Sequence, residues 1–75
     1  MKNLSGLCLG DKAIIYKILT TGSMRRRFLD IGLIENTEVE CVCISPQGNP
    51  KAFLIRGAVI AIRNEDSKEI LITEG

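Results

Sequence analysis

The feature that most restricts the folds open to this chain is the alternation, at short intervals, of apolar runs with turn signals. Lys12-Ala13-Ile14-Ile15-Tyr16-Lys17-Ile18-Leu19 follows Gly10-Asp11 and ends at Thr20-Thr21-Gly22-Ser23. Its length and β-branched content predict a strand rather than a helix. Glu35-Asn36 turns into a second strand from Thr37 to Ile44, with Val39, Cys41 and Cys43 on one face and Glu38, Glu40, Val42 and Ile44 on the other. Ser45-Pro46-Gln47-Gly48-Asn49-Pro50 puts two prolines and a glycine in one loop, so the chain reverses and the strand from Ala52 to Arg56 runs antiparallel. Gly57 is expected as a bend or bulge, after which Ala58 to Arg63 resumes extended structure. The polar stretch Asn64 to Lys68 has room for one helical turn before a last strand from Glu69 to Thr73.

One segment has a different period. Ser23 is placed to cap a helix in which Met24, Phe28 and Ile31 recur on one face with Leu29 beside them, and Gly32 stops it. About five short antiparallel strands, with one short helix between the first two, predict a mainly β fold and a small barrel. Closure would remove exposed strand edges. Leu54 lies between Phe53 and Ile55, so some strands are apolar on both faces, and the helix is expected to cover part of the sheet with Phe28 and Leu29.

A chain of 75 residues forms one domain, with no repeat or linker to divide residues 1–75. Domains of this size bury only about 60% of their unfolded surface, so the core must be small. Tyr16, Phe28 and Phe53 are the only aromatic residues, which makes that core aliphatic.

Charge and composition exclude several classes of function. A formal net charge of +1 gives no long-range attraction to nucleic acid or anionic lipid. No apolar run approaches the roughly 20 residues of a membrane span and no signal segment opens the chain, so the cytoplasm is the expected location. Cys8, Cys41 and Cys43 are odd in number, and residues two apart on a strand are poorly placed to bridge, so reduced, buried thiols are expected. The chain has no histidine. It therefore has no imidazole base, and neither a P-loop nor a nucleophile elbow takes its place, so an enzyme is not expected. Nor is a metal site, since Cys41 and Cys43 would need a third ligand such as Cys8 from the N-terminal segment. No cofactor is expected.

The candidates for a functional surface are Arg25, Arg26, Arg27 and Asp30. They set cations where the helix should begin and an acid where it should end, against the preference of the helix dipole. A local choice that breaks such a rule points to a surface that binds something. Helical spacing spreads the three arginines over a wide arc, so they cannot all serve one contact. Gln47, Gly48 and Asn49 form an exposed loop tip, stiffened by Pro46 and Pro50, and are a second contact point. Gly32, Gly48 and Gly57 are expected to meet backbone requirements. Arg56 and Arg63 end neighbouring strands, with Glu38, Glu40 and Asp30 as the acids within range.

Taken together, Arg26-Arg27-Phe28-Leu29-Asp30-Ile31-Gly32-Leu33, Thr37-Glu38-Val39, Pro46-Gln47-Gly48-Asn49-Pro50, Arg56-Gly57 and Ile60-Ala61-Ile62-Arg63 resemble the FeoA family in order and spacing. The resemblance covers nearly the whole chain. It implies an SH3-like barrel with an inserted helix and an accessory role in bacterial ferrous iron uptake. The partner it implies is the FeoB-type membrane transporter, through its cytosolic GTP-binding part. The C-terminal domain of DtxR-type metal-dependent repressors shares the fold, which makes a metal-responsive regulatory module one alternative. A nucleic-acid-binding barrel is another, resting on the three arginines, although such a barrel needs stacking aromatics that this chain hardly supplies.

Overall fold

A computed structural model describes residues 2–74. Five strands form one sheet: β1 (Lys12–Ile18), β2 (Glu38–Ile44), β3 (Lys51–Ile55), β4 (Ala58–Ile62) and β5 (Ile70–Glu74). Helix α1 (Gly22–Asp30) lies between β1 and β2, and the single turn α2 (Asn64–Ser67) lies between β4 and β5. All pairings are antiparallel, in the order β4-β3-β2-β1-β5. The mainly β reading with a helix between the first two strands therefore holds. Closure is partial, because β4 and β5 end the sheet without pairing to each other.

The two edges are treated differently. Along β5, Ile72 N–H donates to the Lys2 carbonyl at 2.9 Å and Asn3 bridges Leu71, so the N-terminal segment covers that edge. A 3-10 turn, Leu4–Gly6, follows and drops Leu4 and Leu7 into the core. Lys51 holds this segment in place, its Nζ donating to the carbonyls of Ser5 at 2.5 Å and Leu7 at 3.1 Å. Sequence periodicity did not reveal the 3-10 turn.

The core is aliphatic around Phe53, with Ala13, Ile15 and Ile18 from β1, Val39 and Cys41 from β2, Ile55 from β3, Ile62 from β4, and Ile70 and Ile72 from β5. Phe28 and Leu33 seal the end reached by α1. Leu29, expected against the sheet, is instead 44% exposed, and Ile31, expected on one face with Met24 and Phe28, is 39% exposed. A nine-residue helix at the end of a small barrel has one row to bury, and Phe28 occupies it.

Two local readings are corrected. Cys43 does not share a face with Cys41, because the β2–β3 register shifts between them: Cys41 pairs with Phe53 but Cys43 with Ala52. The extra residue of this bulge, Val42, reverses the alternation. Cys41 is buried, while Cys43 and Cys8 are exposed, against the expectation of three buried thiols. Arg56-Gly57 is a chain reversal rather than a bend, with φ of 50° and 86° at the two central residues of a two-residue hairpin whose closing pair is Ile55 and Ala58. Positive φ at both positions defines a type I′ turn, which asks for glycine second and tolerates few residues first.

Candidate functional site

Helix α1 starts one residue before the expected cap. Thr21 occupies the N-cap without a side-chain hydrogen bond, and Ser23 is already helical. The arginines therefore lie in the middle of the helix and not at its head, and Arg27 falls in the last turn, where the dipole favours a cation. The expected conflict with the dipole is thus confined to Asp30.

The three arginines divide as their angular spread requires. Arg25 Nη1 donates to the Ile18 carbonyl at 2.9 Å, tying the helix to the end of β1. Arg26, Arg27 and Asp30 are exposed. Together with the exposed Leu29 and Ile31 they form a surface that mixes charge with apolar area.

The β2–β3 loop is held just as specifically. Gly48 N–H donates to the Ser45 carbonyl at 2.8 Å, and the Asn49–Pro50 peptide bond is cis. Asn49 Oδ1 accepts from Asn64 N–H at 3.0 Å, satisfying a free donor at the start of α2, and Asn64 Nδ2 donates to the Gly48 carbonyl at 3.1 Å. Pro46, Gln47 and Pro50 are exposed. Asn49 thus joins its loop to α2, which leaves Gln47 as the freer side chain at the tip.

Arg56 and Arg63 are exposed, and among the described residues neither makes an ion pair with Glu38, Glu40 or Asp30. The Arg56 side chain instead lies along Gly32, where an added Cβ would stand 2.7 Å from its Cδ. Gly32 therefore has two reasons to be glycine, a φ of +90° and this close approach.

A groove of about 270 Å³ runs between α1 and β4. Met24, Phe28 and Ile31 line its helical wall, and the consecutive residues Ile60, Ala61 and Ile62 line the other. Arg27, Arg63 and Asp66 supply its charge. Because Arg63 adjoins Asn64, the groove is continuous with the corner to which the loop is tied. Arg63 and Asp66 thus link the groove to α2, whose Asn64 is bonded to Gly48 and Asn49 of the loop.

The thiols are spread out. Burial pushes the Cys41 thiol above its ordinary value, an effect opposed by the Lys51 ammonium and the Cys43 backbone. Among the described residues no three of Cys, Asp and Glu converge as a metal-binding group. No helix among them is long and apolar enough to cross a membrane.

These features define a small SH3-like β-barrel whose distinctive surface is a helix and groove at one sheet edge. The chain belongs to the FeoA domain family, whose model matches residues 2–74. It is 30% identical over 67 residues to a Porphyromonas gingivalis protein described as a fusion of Fe(2+) transport protein A with the Fe(2+) transporter FeoB. That match covers 89% of this chain but only 8% of the fusion protein's length. The FeoA protein of Chlorobium tepidum superposes with a TM-score of 0.89 at 25% identity, over 95% of this chain and 68% of that one. A Stenotrophomonas maltophilia FeoA solved with zinc, and described as a prokaryotic SH3 domain protein, shares the fold at a TM-score of 0.86 and 22% identity, over 97% of this chain and 91% of that one. The same barrel occurs in a manganese-dependent transcriptional repressor, at a TM-score of 0.85 and 16% identity, over 97% of this chain and 41% of that one. The family is associated with ferrous iron transport.

Proposed function

We propose that this protein is a non-catalytic accessory factor of ferrous iron uptake that docks in the cytoplasm on the GTP-binding part of a FeoB-type transporter and modulates its activity or assembly. One observation carries the reading: in the Porphyromonas gingivalis relative, the segment matching this chain belongs to the same polypeptide as FeoB. Fusion holds two modules at high effective concentration, which is productive when they act on each other. The surface supports the same reading, since exposed arginines beside exposed aliphatic side chains suit a protein partner better than a small substrate.

Arg26, Arg27, Asp30 and Gln47 are the contact residues of this proposal, while Arg25 and Asn49 keep the helix and loop in position. Reversing the charge of Arg26 and Arg27 should weaken capture of the cytosolic part of FeoB by roughly tenfold or more, with a stability change within about 0.5 kcal/mol because both side chains are exposed. A pull-down with purified components checks this. Equal capture by the wild-type and doubly reversed proteins would exclude this surface.

A further inference from the structure

The two edges of the sheet pose a question that the docking reading leaves open. The N-terminal segment covers β5, whereas among the described residues no strand pairs with the outer side of β4. Natural sheets blunt an open edge with charge, proline or a bulge. Strand β4 reads Ala58-Val59-Ile60-Ala61-Ile62 and pairs with β3 in unbroken register, so it has none of these devices.

The hairpin fixes which backbone groups are available. Its closing pair, Ile55 and Ala58, exchanges hydrogen bonds across the type I′ turn, and the alternation of antiparallel pairs then gives Ile60 and Ile62 inward bonds to β3. The N–H and C=O groups of Val59 and Ala61 point outward. Both residues are exposed, Val59 by 64%.

Beyond this edge lies the groove. Side chains alternate along a strand, so a cavity lined by three consecutive residues, Ile60, Ala61 and Ile62, opens onto the strand's backbone edge and not onto one of its faces. Met24, Phe28 and Ile31, at helical spacings of four and three, form the opposite wall. A strand laid along β4 would therefore place alternate side chains against this apolar wall. Arg27 and Arg63 outnumber Asp66 in the groove, which favours acidic groups on such a strand.

We infer that the free edge of β4 is a strand-addition site for an extended segment of a partner protein in which apolar and acidic residues alternate. A second copy of this chain fits less well. Antiparallel pairing of two β4 strands about Ile60 would set Gly57 opposite Arg63, bringing Arg56 of one copy beside Arg63 of the other at both ends. The inference rests on the FeoB reading only for which protein carries the segment.

The probe is a blocked synthetic peptide of alternating valine and aspartate, with a valine–lysine peptide as control, titrated into the full chain and followed by amide NMR. The aspartate peptide should bind and slow hydrogen exchange at Val59 and Ala61, and the lysine peptide should bind at least tenfold more weakly. Ala61→Pro removes one outward donor without breaking the β3 ladder, and should weaken binding roughly tenfold. If that variant misfolds, the exposed pair Arg27→Glu and Arg63→Glu should reverse the preference between the two peptides. Absence of binding, binding unchanged in the folded proline variant, or self-association through β4 would each overturn the site. Peptide binding that the cytosolic part of FeoB does not compete away would support the site and remove FeoB as the source of the segment.

Discussion

Replacing Gly32 by alanine tests whether the end of α1 is organised as described. The position has φ +90°, which costs a residue with a Cβ about 1–2 kcal/mol relative to glycine. The new Cβ would also stand 2.7 Å from Arg56 Cδ, closer than two carbons can approach. Arg56 is exposed and flexible, so it would move aside, at a cost of about 0.5–1 kcal/mol as a rotamer change. The sum is about 2 kcal/mol, a large share of the roughly 4–11 kcal/mol that holds a domain of this length together. Urea unfolding should show this as a lower midpoint with an unchanged slope, and Tm should fall by about 8–15 °C. A double-mutant cycle with Arg56→Ala separates the two contributions. In the Arg56→Ala background the glycine replacement should lose its steric part and keep its backbone part. A Gly32→Ala protein within 0.5 kcal/mol of wild type would refute the backbone argument, and an equal cost in both backgrounds would refute the close approach.

Two further outcomes follow from the same packing. Burial raises the Cys41 thiol above its ordinary 9.0, so the folded state retains this proton after the unfolded chain has released it. The contribution of the buried thiol is therefore fully present below about pH 9 and is lost as pH rises through the higher folded value. Melting curves from pH 7 to 10.5 should fall more steeply for wild type than for Cys41→Val, the comparison removing the effect of lysine titration. Lys51→Met takes away the donor to the Ser5 and Leu7 carbonyls, and should destabilise the protein by about 1–3 kcal/mol. Hydrogen exchange should accelerate first at Ile72, whose amide bonds to the N-terminal segment.

Much of the architecture was legible because it is local. Most strands are β-branched runs between turn residues, and α1 is the one segment with a period near four. The errors arise where a distant or subtle contact decides. Val42 shifts the β2 register, and nothing in Glu-Val-Glu-Cys-Val-Cys-Ile marks the bulge that moves Cys43 off the buried face. Arg56 in a type I′ turn hides a hairpin that asparagine would have announced, so Gly57 reads as a bend. The 3-10 turn at Leu4–Gly6 had a local signal in Asn3, whose side chain caps it by accepting from Ser5 N–H, but its anchor, Lys51, lies too far along the chain for a local pattern to show. The candidate site was partly readable. The arginine run drew attention to the exposed face of α1, but only the Ile18 carbonyl distinguishes Arg25 from Arg26 and Arg27, and only Asn64 shows that Asn49 is engaged. The open edge of β4 could not be inferred, because an apolar strand looks the same whether or not a neighbour covers it.

Calorimetric titration of the full chain into the purified cytosolic part of FeoB, in the GTP-bound and nucleotide-free states, tests the central claim most directly. A saturable heat with one-to-one stoichiometry, reduced at least tenfold in affinity when Arg26 and Arg27 are both changed to glutamate, is the predicted result. The absence of binding in either nucleotide state, by a chain whose melting curve shows it to be folded, would contradict it.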